Sequence, residues 1–225
     1  FRSNPDCSVT DLAAFVDDDL FFNPNSPLPR GHQMMLKALS EATASFKTTF
    51  WSQKRVAVVL GCMNAETLAS ETFLREKGPA PFLDPHLAPL FDKTYPQTQQ
   101  ALKCVYPSSL ARCAHDFLGT QGLSFCADSA CGSSLTAIDL AMELLREGKT
   151  DIVVTGGIES NLGIETFVSF SHLGVLSRTG NCLPYDSRSD GIIQGEGSVI
   201  FILQRLEDSL KETQRSEEHT SELQS

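Results

Sequence analysis

The sequence has few basic residues and no long apolar run, and each of these absences argues against a class of protein. Lysine and arginine total 18 against 28 aspartates and glutamates, and the formal net charge at pH 7 is −10. Because no basic stripe could neutralise phosphates, nucleic acid is not expected as a direct ligand. No run approaches the roughly 20 apolar residues that a membrane span requires. The apolar content of 41% is instead typical of a globular protein that handles small molecules.

Paired-cysteine motifs are also missing. The seven cysteines are odd in number, scattered along the chain and never spaced as CxxC, which argues against a disulfide framework and against a zinc site. We therefore expect no metal and a reducing, cytoplasmic setting, in which any one of the seven could be a catalytic thiol. The seven are Cys7, Cys62, Cys104, Cys113, Cys126, Cys131 and Cys182.

Both ends of the sequence look cut. The chain starts at Phe1 rather than methionine, so we expect its true beginning to be missing. Residues 215–225 read RSEEHTSELQS, which is the in-frame translation of a common short-read sequencing adapter. A genuine polar, glutamate-rich tail is the alternative. We take residues 1–214 as the protein domain and exclude 215–225 from the fold prediction as a translated artefact.

Apolar periodicity predicts strands that alternate with helices. Continuous or alternating apolar runs predict strands over 55–60, 123–127, 151–155 and 198–203, and Gly156 and Gly157 are expected to stop the third. Helical spacing predicts helices over 34–46, 108–117 and 130–146, with another beginning at Leu206. Residues 1–30 and the proline-rich segment 78–98 are expected to be irregular. This alternation indicates an α/β fold with at least one covered sheet.

The helix predicted over 130–146 has the clearest pattern. Leu135, Ile138, Met142 and Leu145 form one apolar stripe that we expect to face the core. Gly148 stands where a glycine commonly ends a helix.

The residues that suggest chemistry immediately precede this helix. A strand ends near Ala127, the chain turns, and Cys131 stands at the start of the helix, a placement that exposes a nucleophile at a sharp corner. Unpaired N–H groups at the helix N-terminus favour thiolate over thiol and could hold a developing oxyanion. The alternative reading is a buried packing cysteine followed by serines that only cap the helix.

Residues 127–139, ADSACGSSLTAID, closely resemble the β-ketoacyl synthase signature DTACSSSL-x-A, in which the cysteine takes the acyl chain. Further matches follow in the family's order: DIVVTGGIES at 151–160, FVSFSHLGVLS at 167–177, and LPYDSRSDGIIQGEGSVIFILQRLED at 183–208. The resemblance covers residues 34–210 and is strongest after Gly122.

The resemblance implies a thiolase-like fold, of which this chain would form the N-terminal half of a layered αβαβα architecture. It implies that Cys131 accepts an acyl chain from acyl carrier protein, with its backbone N–H in the oxyanion hole. Claisen condensation with malonyl-carrier would then extend the chain by two carbons, in fatty acid or polyketide biosynthesis. No cofactor of its own is implied, because the phosphopantetheine arm arrives on the carrier. A homodimer is expected, through the strand that precedes the nucleophile.

Other positions carry the resemblance less completely. Phe170 falls where the family places an acyl-pocket aromatic, and a simple core phenylalanine is the alternative. Ser129 and Gly132 replace the family's usual Thr and Ser or Ala. The family's two catalytic histidines and its catalytic lysine belong to the second half, and none of the five histidines here lies in those motifs. We expect His115 and His172 to be surface or packing residues.

Three other functions stay open. One is a thiolase-like acyltransferase that does not decarboxylate, and another is a non-catalytic partner subunit like a chain-length factor. A cysteine hydrolase that pairs Cys131 with His172 is the third. We expect residues 1–214 alone to be inactive, because half of the active site would be missing. We also expect them to aggregate, because their apolar faces would lack the cover of the other half.

Overall fold

The computed structural model describes residues 10, 13–23, 26, 28–46, 48–63, 106–160 and 162–211. The predictions for segment 78–98 and for residues 215–225 lie outside these ranges, as do Cys7 and Cys104. The described ranges include the whole stretch around Cys131 and the strands predicted beside it.

Strands and helices alternate along the described chain. In order they are β1 (Ala13–Ala14), a 3-10 helix (Asp18–Leu20), α1 (Arg30–Thr43), α2 (Thr48–Ser52), β2 (Val56–Gly61), α3 (Ser108–Leu118), β3 (Ser124–Ala127), α4 (Ser133–Arg146), β4 (Ile152–Glu159), α5 (Ile164–Leu173), β5 (Gln194–Gly195), β6 (Gly197–Gln204) and α6 (Leu206–Lys211). The predicted strands are confirmed to within a few residues, whereas α5 and the short strands β1 and β5 were not predicted. The longest described helices have 14 residues, and none of the helices in this part of the chain could span a bilayer.

The central sheet has four strands in the order β3-β2-β4-β6. β2 lies parallel to both β3 and β4, and β6 runs antiparallel to β4. Parallel neighbours need long connections, which the helices between the strands supply. The predicted α/β fold is therefore confirmed.

Both faces of the sheet are covered, which explains why β2 is apolar throughout. Val58 and Leu60 pack with α1 and α3 on one face, whereas Ala57 and Val59 pack with α4 on the other. All six residues of β2 are buried. A strand buried on both sides has no polar alternation, so its sequence is one continuous apolar run.

The prediction that Gly156 and Gly157 stop the third strand is wrong, because β4 continues through both to Glu159. A Cβ on Gly156 would lie 1.9 Å from the carbonyl oxygen of Val199 in β6. The missing side chain lets the antiparallel strand approach, so this glycine serves close packing rather than strand termination.

The predicted core stripe of α4 is confirmed only at Leu145, which is buried against the sheet. Leu135 is 72% exposed and Met142 36% exposed, and the sheet is instead met by Ala137 and Ala141. Small residues at these two positions let the helix approach the sheet closely. The end of the helix is as predicted, with Gly148 in the left-handed conformation (φ 66°).

A polar corner ties the C-terminal end of α4 to the sheet. Arg205, just after β6, donates to the carbonyl oxygens of Leu145 (3.0 Å) and Thr150 (2.7 Å) and to the carboxylate of Asp151 (3.1 Å). The same carboxylate accepts from Arg55, and these hydrogen bonds hold the pKa of Asp151 well below its usual range. This corner fixes α4 at the end opposite to Cys131.

The N-terminal segment is not simply irregular, because it is anchored to the sequence around β5. β1 pairs in parallel with β5, and the Glu196 carboxylate accepts hydrogen bonds from the N–H of Val16 (2.9 Å) and from Arg30. The Glu196 side chain is only 1% exposed. A buried carboxylate needs such partners, so the hydrogen bonds of Glu196 hold the N-terminal segment beside β5.

Candidate active site

Cys131 lies in the turn between β3 and α4, at the end of the sheet where the parallel strands finish. Its side chain is exposed and makes no disulfide. The helix was predicted to begin at residue 130 but begins at Ser133, because Ala130 takes a left-handed conformation (φ 52°) that cannot continue a right-handed helix. Cys131 therefore stands just before the helix, as a nucleophile at a corner between strand and helix does.

The turn is held by a compact set of hydrogen bonds. The Ser133 hydroxyl accepts from the N–H of Ser129 (2.9 Å) and donates to the carbonyl oxygen of Ala130 (2.6 Å). The Asp128 carboxylate accepts from the N–H of Ala130 (3.0 Å), and the Ser129 and Thr136 hydroxyls lie 2.6 Å apart. The corner is thus fixed by side chains that the sequence places before and after Cys131.

The hydrogen bonds of this turn leave one N–H group unused. The N–H groups of Ser129, Ala130, Gly132 and Ser133 all donate within the turn. No bond from the Cys131 N–H is found among the residues that the structure describes. A free N–H beside an exposed thiol is the type of donor that stabilises an oxyanion.

Two glycines let the first turn of α4 rest directly on the sheet. Gly61 ends β2 and pairs in register with Gly157 of the neighbouring β4. A Cβ on Gly61 would lie 2.4 Å from the backbone of Ser133 and Ser134, and one on Gly157 would lie 2.7 Å from the Cβ of Ser134. We name this pair the glycine seat, because it sets the distance between the nucleophile turn and the sheet.

The remaining described cysteines are less suited to nucleophilic chemistry. Cys62 is buried, and Cys113 is half-buried. The Cys126 thiol donates to the carbonyl oxygen of Pro107 (2.9 Å), and burial raises its pKa to about 11. Cys182 is exposed but lies in the loop between α5 and β5, not at a strand–helix corner. Cys131 alone combines exposure with a strand–helix corner among the described cysteines.

Two of the described histidines, His115 and His172, lie in the interior and on the surface respectively. His115 is buried, and both of its ring nitrogens have partners: the Thr120 hydroxyl at 2.7 Å and the Leu123 carbonyl oxygen at 3.2 Å. His172 lies exposed near the end of α5. The expectation that they are packing and surface residues is confirmed. Within the described ranges, no His, Cys, Asp and Glu side chains cluster so as to hold a metal ion.

Phe170 lies in α5 and is half-buried. It is not among the side chains that build either hydrophobic core of the described region. Its place in an acyl pocket stays a prediction, and the alternative of a packing phenylalanine stays open.

A hydrogen-bonded loop that sequence reasoning did not identify follows α5. The Asp190 carboxylate accepts hydrogen bonds from the Ser177 hydroxyl (2.7 Å) and from the N–H groups of Arg178 and Thr179 (3.0 Å each). These bonds lower the pKa of Asp190, and the bond from Ser177 has the largest effect. Asp190, the first residue of the motif DGIIQGEG (190–197), thus closes this loop. The sequence feature that could have indicated the loop is this aspartate together with the Ser-Arg-Thr-Gly turn at 177–180.

Comparison with known sequences identifies the family of this chain. The family model described as "Beta-ketoacyl synthase, N-terminal domain" matches residues 9–209. The chain is 44% identical over 98 residues to a mycocerosic acid synthase-like polyketide synthase from Mycobacterium tuberculosis, covering 44% of this chain and 5% of that protein. It is 39% identical over 95 residues to a component of the phenolphthiocerol/phthiocerol polyketide synthase from Mycobacterium bovis, covering 42% of this chain and 6% of that protein. The chain therefore spans only a small part of the length of these relatives.

Solved structures show the same fold. An oxazolomycin ketosynthase domain from Streptomyces albus has a TM-score of 0.71 at 22% identity, covering 90% of this chain and 35% of that one. A beta-ketoacyl synthase from Burkholderia phymatum has a TM-score of 0.71 at 20% identity, covering 92% of this chain and 51% of that one. The architecture is that of thiolase-like ketosynthases, and the chain belongs to the beta-ketoacyl synthase family through its N-terminal domain.

Proposed function

We propose that this chain is the nucleophile-bearing part of a condensing acyltransferase, in which Cys131 accepts an acyl chain from an acyl carrier protein. The observation that carries the proposal is the exposed thiol of Cys131 at a strand–helix corner, beside an N–H group that bonds no partner within the described ranges. The thiolate attacks the carbonyl carbon of the acyl thioester while the N–H bonds the oxyanion. The tetrahedral intermediate collapses, the bond from the acyl carbon to the carrier's sulfur breaks, and the acyl chain stays on Cys131. The carrier leaves as its thiolate, which takes up the proton that the Cys131 thiol gave up on ionising.

The second step is a Claisen condensation. Malonyl-carrier loses carbon dioxide, and the resulting carbanion attacks the acyl carbon on Cys131. The cysteine sulfur leaves, and the product on the carrier is longer by two carbons. This covalent route divides one difficult acyl transfer into two easier steps. The groups that drive decarboxylation, two histidines and a lysine in this family, would lie outside residues 1–214.

The resemblance to bacterial polyketide synthases favours polyketide over fatty acid biosynthesis as the pathway. The partners are then a carrier protein or carrier domain and its acyl and malonyl thioesters. The phosphopantetheine arm enters on the carrier, so the synthase needs no cofactor of its own. Such chemistry is cytoplasmic.

Several apolar side chains support the proposal that further protein covers one side of this chain. Leu135 and Met142 are exposed on the outer side of α4, and Val199 (55%) and Phe201 (46%) are exposed on the neighbouring β6. Exposed apolar surface of this kind marks an interface or a risk of aggregation. We therefore expect residues 1–214 alone to aggregate and to be inactive.

A homodimer would form through β3. This strand lies at the end of the sheet order, so one of its edges is not paired within the described sheet. An unpaired edge is suited to pairing with another strand. Because β3 leads directly into the nucleophile turn, this pairing would also stabilise the site.

Two related functions predict different outcomes. A non-decarboxylating thiolase-like acyltransferase would load Cys131 but release no carbon dioxide from malonyl-carrier. A partner protein like a chain-length factor would not load at all, and the exposed Cys131 speaks against it.

The test is acyl loading of the full-length protein that carries this chain. After exposure to an acyl thioester, we expect the mass of the Cys131 peptide to rise by one acyl group. The matched control is Cys182→Ala, which removes the other exposed cysteine of the described region and should load normally. A Cys131→Ala variant that still gains the acyl group would refute the assignment.

A further inference from the structure

We infer that Ser133 is a positioning residue for Cys131: its buried hydroxyl holds the left-handed turn that presents the thiol to the acyl carbonyl. The inference rests on the proposed function, in which Cys131 carries the acyl chain. Ser133 itself touches no reacting atom in this proposal.

The Ser133 hydroxyl joins the two sides of the nucleophile turn. It accepts from the N–H of Ser129 and donates to the carbonyl oxygen of Ala130, at 2.9 and 2.6 Å. Ser133 is only 5% exposed, so water competes little for these two bonds. One hydroxyl thus connects the chain that enters the turn to the first residue of α4, with Cys131 between them.

The turn needs such a restraint because of Ala130. Its φ of 52° lies in the left-handed region, where a Cβ meets the following carbonyl oxygen, and non-glycine residues stay there only when their surroundings impose it. The carbonyl oxygen of Ala130 also accepts from the N–H of Ser133 (3.1 Å), and the N–H of Ala130 donates to the solvent-exposed carboxylate of Asp128. Neither of these bonds supplies the partner that the Ser133 hydroxyl gives to the N–H of Ser129.

Helix capping does not explain the Ser133 hydroxyl. Gly132 is the N-cap of α4, and no side chain caps the helix there. A capping serine accepts from N–H groups further along the helix. The Ser133 hydroxyl instead bonds backwards, to residues that precede Cys131. Without it, the N–H of Ser129 would lose its partner, and the turn could relax away from the left-handed conformation.

Two reactions of Cys131 separate positioning from general stability. Acyl transfer requires the sulfur to meet a carbonyl carbon while an N–H holds the oxygen, whereas alkylation by iodoacetamide requires only an accessible thiol. In Ser133→Ala we expect acyl loading from a soluble acyl-N-acetylcysteamine thioester to slow about tenfold, the effect of losing one buried hydrogen bond. Alkylation of Cys131 should stay within about twofold of the unmodified protein, since the thiol remains exposed.

The matched control is Thr150→Ala. Thr150 is also buried, and its hydroxyl also bonds two backbone groups, the carbonyl oxygens of Arg55 (2.5 Å) and Ile152 (2.8 Å), at the opposite end of β4. Its loss should reduce stability without slowing acyl loading. Ala130→Gly supplies a second test, because glycine takes the left-handed conformation without strain. In that background, Ser133→Ala should slow loading by only about twofold.

The experiment uses the full-length protein, with alkylation of the buried Cys62 as a sign of unfolding. If Ser133→Ala alone unfolds, the test is made in the Ala130→Gly background. The loading rate of Ala130→Gly is then compared with that of Ala130→Gly/Ser133→Ala. Loading at an unchanged rate in Ser133→Ala would overturn the inference and leave Cys131 as the nucleophile. Equal slowing of loading and alkylation, or an undiminished effect beside Ala130→Gly, would also overturn it. A wild-type protein that does not load at Cys131 would overturn the proposed function and this inference together.

Discussion

Replacing Gly61 of the glycine seat by alanine should move the nucleophile without touching a reacting group. The new Cβ would lie 2.4 Å from backbone atoms of Ser133 and Ser134, whereas ordinary contact begins at 3.4 Å. The start of α4 must therefore retreat by about 1 Å, and no rotamer change can relieve a clash with backbone. A misplacement of about 1 Å can cost about 100-fold in rate, so we expect acyl loading of Cys131 to fall by about that factor.

Gly157 offers a graded version of the same change. A Cβ there would lie 2.7 Å from the Cβ of Ser134, a smaller overlap than the 2.4 Å at Gly61. We expect a loss of about tenfold in Gly157→Ala, because the required retreat is smaller. Gly157→Ala/Ser134→Gly removes the contacted atom and should recover most of the rate. Ser134→Gly alone must be measured beside it, since glycine in a helix costs about 1 kcal/mol in stability.

The assay is the initial rate of acyl loading, read from the mass of the Cys131 peptide, with circular dichroism to confirm the fold. Gly197→Ala is the matched control, because a Cβ at Gly197 meets no atom within 4 Å. If folded Gly61→Ala loads at the rate of Gly197→Ala, the glycine seat does not set the position of Cys131.

Three further predictions concern single residues. Because burial raises the pKa of Cys126 to about 11, iodoacetamide at pH 8 should leave it unmodified while both exposed cysteines react, as peptide mass mapping would show; early modification of Cys126 would contradict this. Hydrogen bonds from Arg55 depress the pKa of Asp151, so their stabilisation is present above the unfolded pKa of about 4 and is lost as the pH falls. Asp151→Asn should cost about 1 kcal/mol at pH 7 and flatten the acid side of the thermal midpoint against pH, and an unchanged profile would refute the ion pair. Phe170→Ala should change the preferred acyl chain length in a competition between thioesters, whereas the surface control Phe117→Ala should not.

Local sequence sufficed for elements whose partners lie nearby or whose environment is uniform. β2 was predictable because burial on both faces leaves an uninterrupted apolar run, and the end of α4 because Gly148 closes it locally. The strand–helix corner at Cys131 was predictable because a strand, a turn and small residues surround it in sequence, whereas its role as the nucleophile stays a prediction.

Positions that depend on distant contacts were predicted wrongly or missed. Gly156 was expected to end a strand. A glycine is needed there because Val199, which lies far along the chain, approaches it closely. Leu135 was assigned to the core because it belongs to an apolar stripe at helical spacing, whereas alanines of α4 pack against the sheet instead. Ser133 was read as a possible helix cap, because the neighbouring sequence does not show that its hydroxyl bonds Ser129 and Ala130 instead.

The parallel pairing of β2 has a consequence for the order in which the chain acquires structure during synthesis. Its Val58 pairs with Ser124 and its Val56 with Ile152, so neither neighbour exists when β2 leaves the ribosome. At about 5–20 residues per second, this apolar strand stays unpaired for several seconds, and it is the kind of segment that associates between chains. Arg205, which holds the far end of α4, emerges later still. The nucleophile helix is therefore fully fixed only after nearly all of the described chain has been made, and slower initiation of synthesis or added chaperone should raise the soluble yield.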